Sequence, residues 1–541
     1  MDKINKIALI FFIFLVNIFL LSLLQEYPIS ISLNNATFFQ IPIIFWLVIF
    51  ITPFLLFIIA KTNKNKFVLI ICAMFYFFIF YSYGLYFMIH PTTSDIGGAI
   101  ELQEYLPSIT HIGAAEIYNI DYLQFPIFFI FSKIFSTILG ISPVLTINIG
   151  FMSLITLFPV FLILYYTNRD DLTNPEKYFI IPALFLTLCY YFLNDQFVPQ
   201  FLALIYLVIL FGCYIKYKEW RNKLFFILVI IFYILTVFSH SFIFLFFLIA
   251  IIFEKIWMEY IEKNYNKSIS YEMIIILIMI PSLYISVYIQ ELKAVTIFGG
   301  SSRIIGYIFS PSGSIQTYPL YNLVPQIYDL FISTISKFIV AGAFIIVSIG
   351  FLLYILKKKG IFDFGIIIGT AAWFIMGFFR VVLGERSLQI APIALSSHYK
   401  HSHKIFSYLS KIIIVLILIS PFFSICNTSI NESIAGEGLI QDYKENIAGK
   451  FVDYHIENQS NPLYILSAHN AYPLVLKNNT YSIGLISIIL NSTKPRDVDF
   501  LIESPKLIYE SMYYDVILPI NLNDFTIYNG KNINIISLWN E

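Results

Sequence analysis

The sequence predicts an all-α polytopic membrane protein of about thirteen transmembrane helices, with a small extracytoplasmic α/β module at the C-terminal end. Three observations predict it. Of 541 residues, 59% are hydrophobic and only 12% are charged, against roughly 25% in soluble domains. Apolar runs long enough, or nearly so, to cross about 30 Å of hydrocarbon recur as far as Cys426. After Cys426 the hydrophobicity falls and short alternating runs take over. This composition excludes a soluble enzyme. With 33 basic and 33 acidic residues, net charge gives no case for a nucleic-acid partner.

The first run, 7–24, follows Lys3 and Lys6 as a secretory signal would, but no small-residue cleavage site comes after it, so it reads as a retained anchor. The following spans are 41–60, 67–89, 142–167, 178–193, 199–215, 224–239, 241–253, 271–289, 331–356, 361–379, 381–395 and 405–426. With the N-terminus in the cytoplasm, the cytoplasmic segments carry nineteen Lys and Arg, whereas the opposite loops 25–40, 90–141, 194–198 and 290–330 hold only Lys133, Lys293 and Arg303. The same asymmetry decides two ambiguous stretches. Making 122–140 a span would place the basic KYKEWRNK loop outside, so it reads as a helix lying at the outer interface. Treating 224–253 as one long helix would send Lys357, Lys358 and Lys359 outside, so it reads as a hairpin turning at Ser239, His240 and Ser241. The domains are then 1–66 (two N-terminal helices), 67–426 (a transmembrane core with a long outer loop, 90–141) and 427–541 (the extracytoplasmic module). Runs such as Leu463–Ser467 and 532–538, separated by Asn, Pro and Asp, read as strands of that module. Five of the seven Asn-x-Ser/Thr sequons lie in this tail, which mildly supports its external placement. Cys72, Cys189, Cys213 and Cys426 show no CxxC or pairing pattern and read as small core residues.

Candidate chemistry concentrates in the outer loop 90–125, which lacks Lys and Arg and carries Asp95, Glu101, Glu104, Glu116 and Asp121. A carboxylate at the bilayer surface, partly desolvated and near other acids, is poised to act as a general base, and Asp95 is the leading candidate. The alternative is a solvated acidic loop face. Asp195, Gln196 and Gln200, His240, Arg303, and Arg380 with Glu385 and Arg386 fall at the same outer boundary. Charges there tend to face a cavity and find partners. Each has a plainer reading: His240 as the turn of a hairpin, Asp195 as a helix cap, and the arginines as snorkelling or Glu385-paired residues. As functional groups, the arginines suit a lipid-linked phosphate. His398, His401 and His403 sit in a basic turn without an acidic ligand, and no metal site is assigned. The DxD of Asp497 and Asp499 is too short a match to carry weight. The phosphate-binding GxxxxGK[ST] loop, the HExxH zinc pair and the GxSxG elbow do not occur, which argues against ATP-driven transport and the commonest hydrolases.

These features together resemble the GT-C superfamily of membrane glycosyltransferases, which use polyprenyl-phosphate-linked sugars. The resemblance rests on SDIGGAIELQEYLPSI (94–109), YLQFPIFFIFSKIFSTILGIS (122–142), NDQFVPQFLAL (194–204), the His-bearing FSHSF (238–242) and GERSLQIAPIAL (384–395). It covers most of 67–541 and leans towards archaeal and bacterial members. It implies that Asp95, with Glu101 and Glu104 as second choices, activates the acceptor or binds a divalent metal near the donor phosphate. It also implies that Asp195, Gln196, Gln200, His240, Arg303, Arg380 and Arg386 contribute to substrate binding. The acidic loop of that family usually follows the first span. Here it follows the third, so two N-terminal spans are additional, and Asp95 stands without an adjacent Glu. The implied partners are a polyprenyl-phosphate sugar and a glycan, lipid or protein acceptor outside the cell membrane. Competing readings are a non-catalytic or polymerase- or ligase-type protein of glycan assembly and a lipid-linked glycan transporter or flippase.

Overall fold

The computed structural model describes residues 3–26, 41–62, 66–81, 126–140, 199–240, 243–261, 263, 270–288 and 422, together with five strands between 463 and 537. The expected spans 142–167, 178–193, 331–356, 361–379 and 381–395, and all of 405–426 except Phe422, lie outside the described residues.

The first three helices are α1 (Lys3–Glu26), α2 (Ile43–Thr62) and α3 (Lys66–Tyr81). In α1, Asn5, Ala8, Phe12, Leu15, Phe19 and Ser22 recur at three- and four-residue intervals and are buried. Phe19 reaches both neighbours, with ring centroids 6.1 Å from Phe45 of α2 and 6.0 Å from Phe78 of α3. The opposite face of α1 is also apolar: Ile10 is 67% exposed and Leu24 79% exposed. In water a surface helix carries polar residues on that face, so an apolar face of this kind suits hydrocarbon. Phe422, within the expected last span, packs its ring 5.4 Å from Phe50 and 5.9 Å from Trp46 of α2. The chain's first and late apolar segments therefore meet.

Helix α4 (Ile127–Leu139) has 13 residues and measures about 20 Å along its axis, which is short for a crossing. Phe128, Phe129, Ser132 and Ser136 are buried on one face, while Ile130, Ile134 and Ile138 are exposed. Gly140 ends the helix in the left-handed conformation (φ 62°), its N–H donating to the Ser136 carbonyl, a position where glycine carries no Cβ penalty.

Helix α5 (Pro199–Trp220) packs along α6 (Lys223–Ser239) as an antiparallel hairpin, and α4 lies against both. Their turn is two residues long: Arg221 takes a left-handed φ of 51°, and the Asn222 side chain accepts from the Leu224 N–H at 2.8 Å. The sequence places the end of this span at Ile215. The helix instead continues through KYKEW to Trp220, where Lys218 pairs with Glu254 of a neighbouring helix. After a break at His240 the chain resumes as α7 (Ile243–Ile256), passes into a π-helical turn (Trp257–Ile261) and re-enters as α8 (Tyr271–Tyr288). Phe247 of α7 lies at the centre of this group, 5.2 Å from Phe211, 5.6 Å from Tyr214 and 5.8 Å from Tyr233. Cys72 and Cys213 are buried and free.

Among the described residues, the segments Ile4–Leu24 and Phe201–Lys218 are long and apolar enough to cross a membrane. The strands are β1 (Leu463–Ser467), β2 (Thr480–Gly484), β3 (Phe500–Glu503), β4 (Phe525–Asn529) and β5 (Asn534–Ser537). They form a mixed sheet in the order β2-β1-β3-β5-β4, with β1 parallel to β2 and β3, and β5 antiparallel to β3 and β4. Strands β1 and β5 fall within the two alternating runs named from the sequence.

The packing around Phe247 makes a direct prediction. Phe247→Ala should destabilise the protein by roughly 3–5 kcal/mol, whereas Ile138→Ala, at a position 75% exposed, should change stability little. Unfolding titrations in detergent compare the two.

Candidate functional site

Of the residues nominated from the sequence, Gln200 and His240 lie among the described ones. Asp95, Glu101, Glu104, Asp195, Gln196, Arg303, Arg380 and Arg386 lie outside them. Gln200 is in the first turn of α5. His240 follows the last residue of α6 in extended conformation (φ −162°), and its backbone N–H donates to the Thr236 carbonyl at 3.2 Å. The cap is thus made by the backbone, and the imidazole is half-buried.

Antiparallel packing decides where these two positions sit. The hairpin turn at Arg221 and Asn222 forms one end, the Tyr217 ring packs against Phe226 near it, and Tyr206 meets Phe232 further along. Continuing that pairing brings the Gln200 turn beside the His240 end of α6. Two positions from different spans therefore share one end of the bundle.

The opposite end holds a polar cluster that the sequence reading did not nominate. Glu254, near the end of α7, accepts from the Tyr214 hydroxyl at 2.7 Å through one carboxylate oxygen and pairs with Lys218 through the other. Its neighbour Lys255 pairs with Glu259 at 2.7 Å, and the Tyr271 hydroxyl donates to the second Glu259 oxygen, also at 2.7 Å. The Lys255 ammonium also lies 3.5 Å from the centre of the Tyr271 ring. The first set ties α5 to α7, and the second ties α7 and its π-helical turn to α8. Around the end of α5, Lys216 lies over Trp220 and Arg221 over Tyr217. Because both oxygens of each buried carboxylate are engaged, the burial of charge is compensated. The i,i+4 spacing of Lys255 and Glu259 was legible in the sequence. The link from Glu254 back to Lys218 and Tyr214 was not, because it spans 36 and 40 residues.

Eighteen residues of helix separate Gln200 from Lys218, or about 27 Å, close to the thickness of the hydrocarbon layer. The salt-bridged end is the one rich in Lys and Arg. The Gln200 and His240 end is its opposite. Among the described residues, no group of three or more His, Cys, Asp and Glu could hold a metal ion.

No family model matches the chain. No curated protein matches it. Among solved structures it is similar to ArnT from Cupriavidus metallidurans in the apo state, with 9% identity, a TM-score of 0.47, and coverage of 85% of this chain and 96% of that one. A likeness at that distance carries neither a fold nor an activity across.

The salt-bridge geometry predicts that Glu254→Ala destabilises the protein by roughly 3 kcal/mol or more, since it leaves Lys218 and the Tyr214 hydroxyl without their acceptor. Replacing both members together, as Glu254→Leu with Lys218→Met, should cost less than Glu254→Ala alone. Thermal unfolding of the three variants tests this.

Proposed function

We propose that this chain is a membrane glycosyltransferase that moves a sugar from a polyprenyl-phosphate donor to an acceptor on the extracytoplasmic side. The observation that carries the reading is the placement of Gln200 and His240 at one end of the α5 and α6 hairpin, across the bundle from the basic cluster. The acid-rich outer loop 90–125, which lacks Lys and Arg, is the second support, and the loose resemblance of several segments to GT-C enzymes is the third.

The chemistry is a single in-line displacement. The Asp95 carboxylate takes the proton from the acceptor hydroxyl as its oxygen bonds to the anomeric carbon. The bond from that carbon to the donor phosphate breaks on the opposite face, so the configuration inverts. The polyprenyl phosphate leaves as an anion that needs no proton, held by Arg303, Arg380 or Arg386 through charge-assisted hydrogen bonds. Glu101 and Glu104 are the alternative bases. A donor whose tail dissolves in lipid also gives so apolar a protein a reason to hold its polar groups at the membrane boundary.

Purified protein carrying Asp95→Asn should lose about 100-fold or more of its sugar transfer from polyprenyl-phosphate donors while keeping its thermal stability. Unchanged transfer in that variant removes Asp95 from the mechanism.

A further inference from the structure

Helix α8 contains Pro281, which has no N–H to offer the carbonyl of Leu277 four residues back. That carbonyl is inside the bundle, since Leu277 is fully buried, and an unsatisfied acceptor there is costly. The hydroxyl of Tyr233, on α6, donates to it at 2.8 Å. The next carbonyl along, that of Ile278, lies in the part of the ladder that a proline ring also disturbs. It accepts from the Ser282 hydroxyl at 2.7 Å. Both carbonyls around the proline therefore have side-chain donors. Beyond the proline, the Tyr284 ring packs 4.2 Å from Phe238, the second residue before His240. Helix α6 thus touches α8 on both sides of Pro281: through Tyr233 before it and through Phe238 after it.

We propose that Pro281 is a hinge in α8 and that α6 is its splint, with the Tyr233 hydroxyl as the latch that couples the outer half of α8 to the His240 end of α6. Because Tyr284 packs on Phe238, a change in the angle of residues 282–288 would pull on that contact and on the backbone cap at His240.

Hydrogen–deuterium exchange on the full chain in detergent micelles tests it, using Tyr233→Phe, Pro281→Ala and the double variant. Tyr233→Phe keeps the ring and removes only the donor. It should speed exchange of the amides of 282–288 and of 236–240 by about tenfold. In the Pro281→Ala background residue 281 supplies its own N–H to Leu277, so the same substitution should change exchange by less than about twofold. An unchanged rate in Tyr233→Phe, or an equal increase in both backgrounds, overturns the proposal. If Tyr233→Phe does not fold, Ser282→Ala takes its place: faster exchange in 282–288 supports the hinge and an unchanged rate overturns it.

Discussion

Helix α5 has almost no side facing away from protein. From Phe201 to Tyr214 every described side chain is buried, apart from the half-buried Tyr206, in a segment long and apolar enough to face lipid. A helix enclosed in this way cannot be placed by the hydrophobic effect alone, because lipid would accept its leucines and phenylalanines as readily as neighbouring helices do. Its position is set by contacts with direction. The aromatic junction at Phe247 fixes its middle, and Glu254 fixes its charged end through Tyr214 and Lys218. The helices around it follow from that: α6 returns along α5, α4 packs against both, α7 packs on α5 and α6, and α8 packs on α6 and α7.

Much of the helical layout was legible in the sequence because the signals are local. The break between α6 and α7 is visible in the polar FSHS interruption of an otherwise apolar run. The shortness of α4 follows from Pro126 before it and Gly140 after it, two residues that stop helices for opposite reasons. Strands β1 and β5 stand out by their alternation. The end of α5 was illegible because KYKEW has the composition of a basic loop. The partner of Lys218 in that turn, Glu254, lies 36 residues further on.

Less of the candidate site could be read. The sequence identifies polar residues at the ends of apolar runs, but it does not say which ends meet. For Gln200 and His240 the answer comes from the two-residue turn at Arg221 and Asn222, which forces antiparallel neighbours. The acids of 90–125 and the late arginines lie outside the described residues, so their grouping rests on charge asymmetry and resemblance. The role of Tyr233 is hidden in the sequence for a related reason. A tyrosine in an apolar helix reads as core, and its hydroxyl gains meaning only once the proline it faces is known.

Glu254 and Lys255 are consecutive, yet they serve different neighbours. Successive residues on a helix point about 100° apart, so the acid addresses α5 while the base addresses Glu259 in the π-helical turn and Tyr271 of α8. Two oppositely charged pegs at adjacent positions allow α7 a single rotational setting. Turning it by one residue one way would set the Lys255 ammonium against that of Lys218, and the other way would face Lys218 with Phe253. A greasy helix that could otherwise spin or slide freely is thereby indexed, as a key is by its first notch.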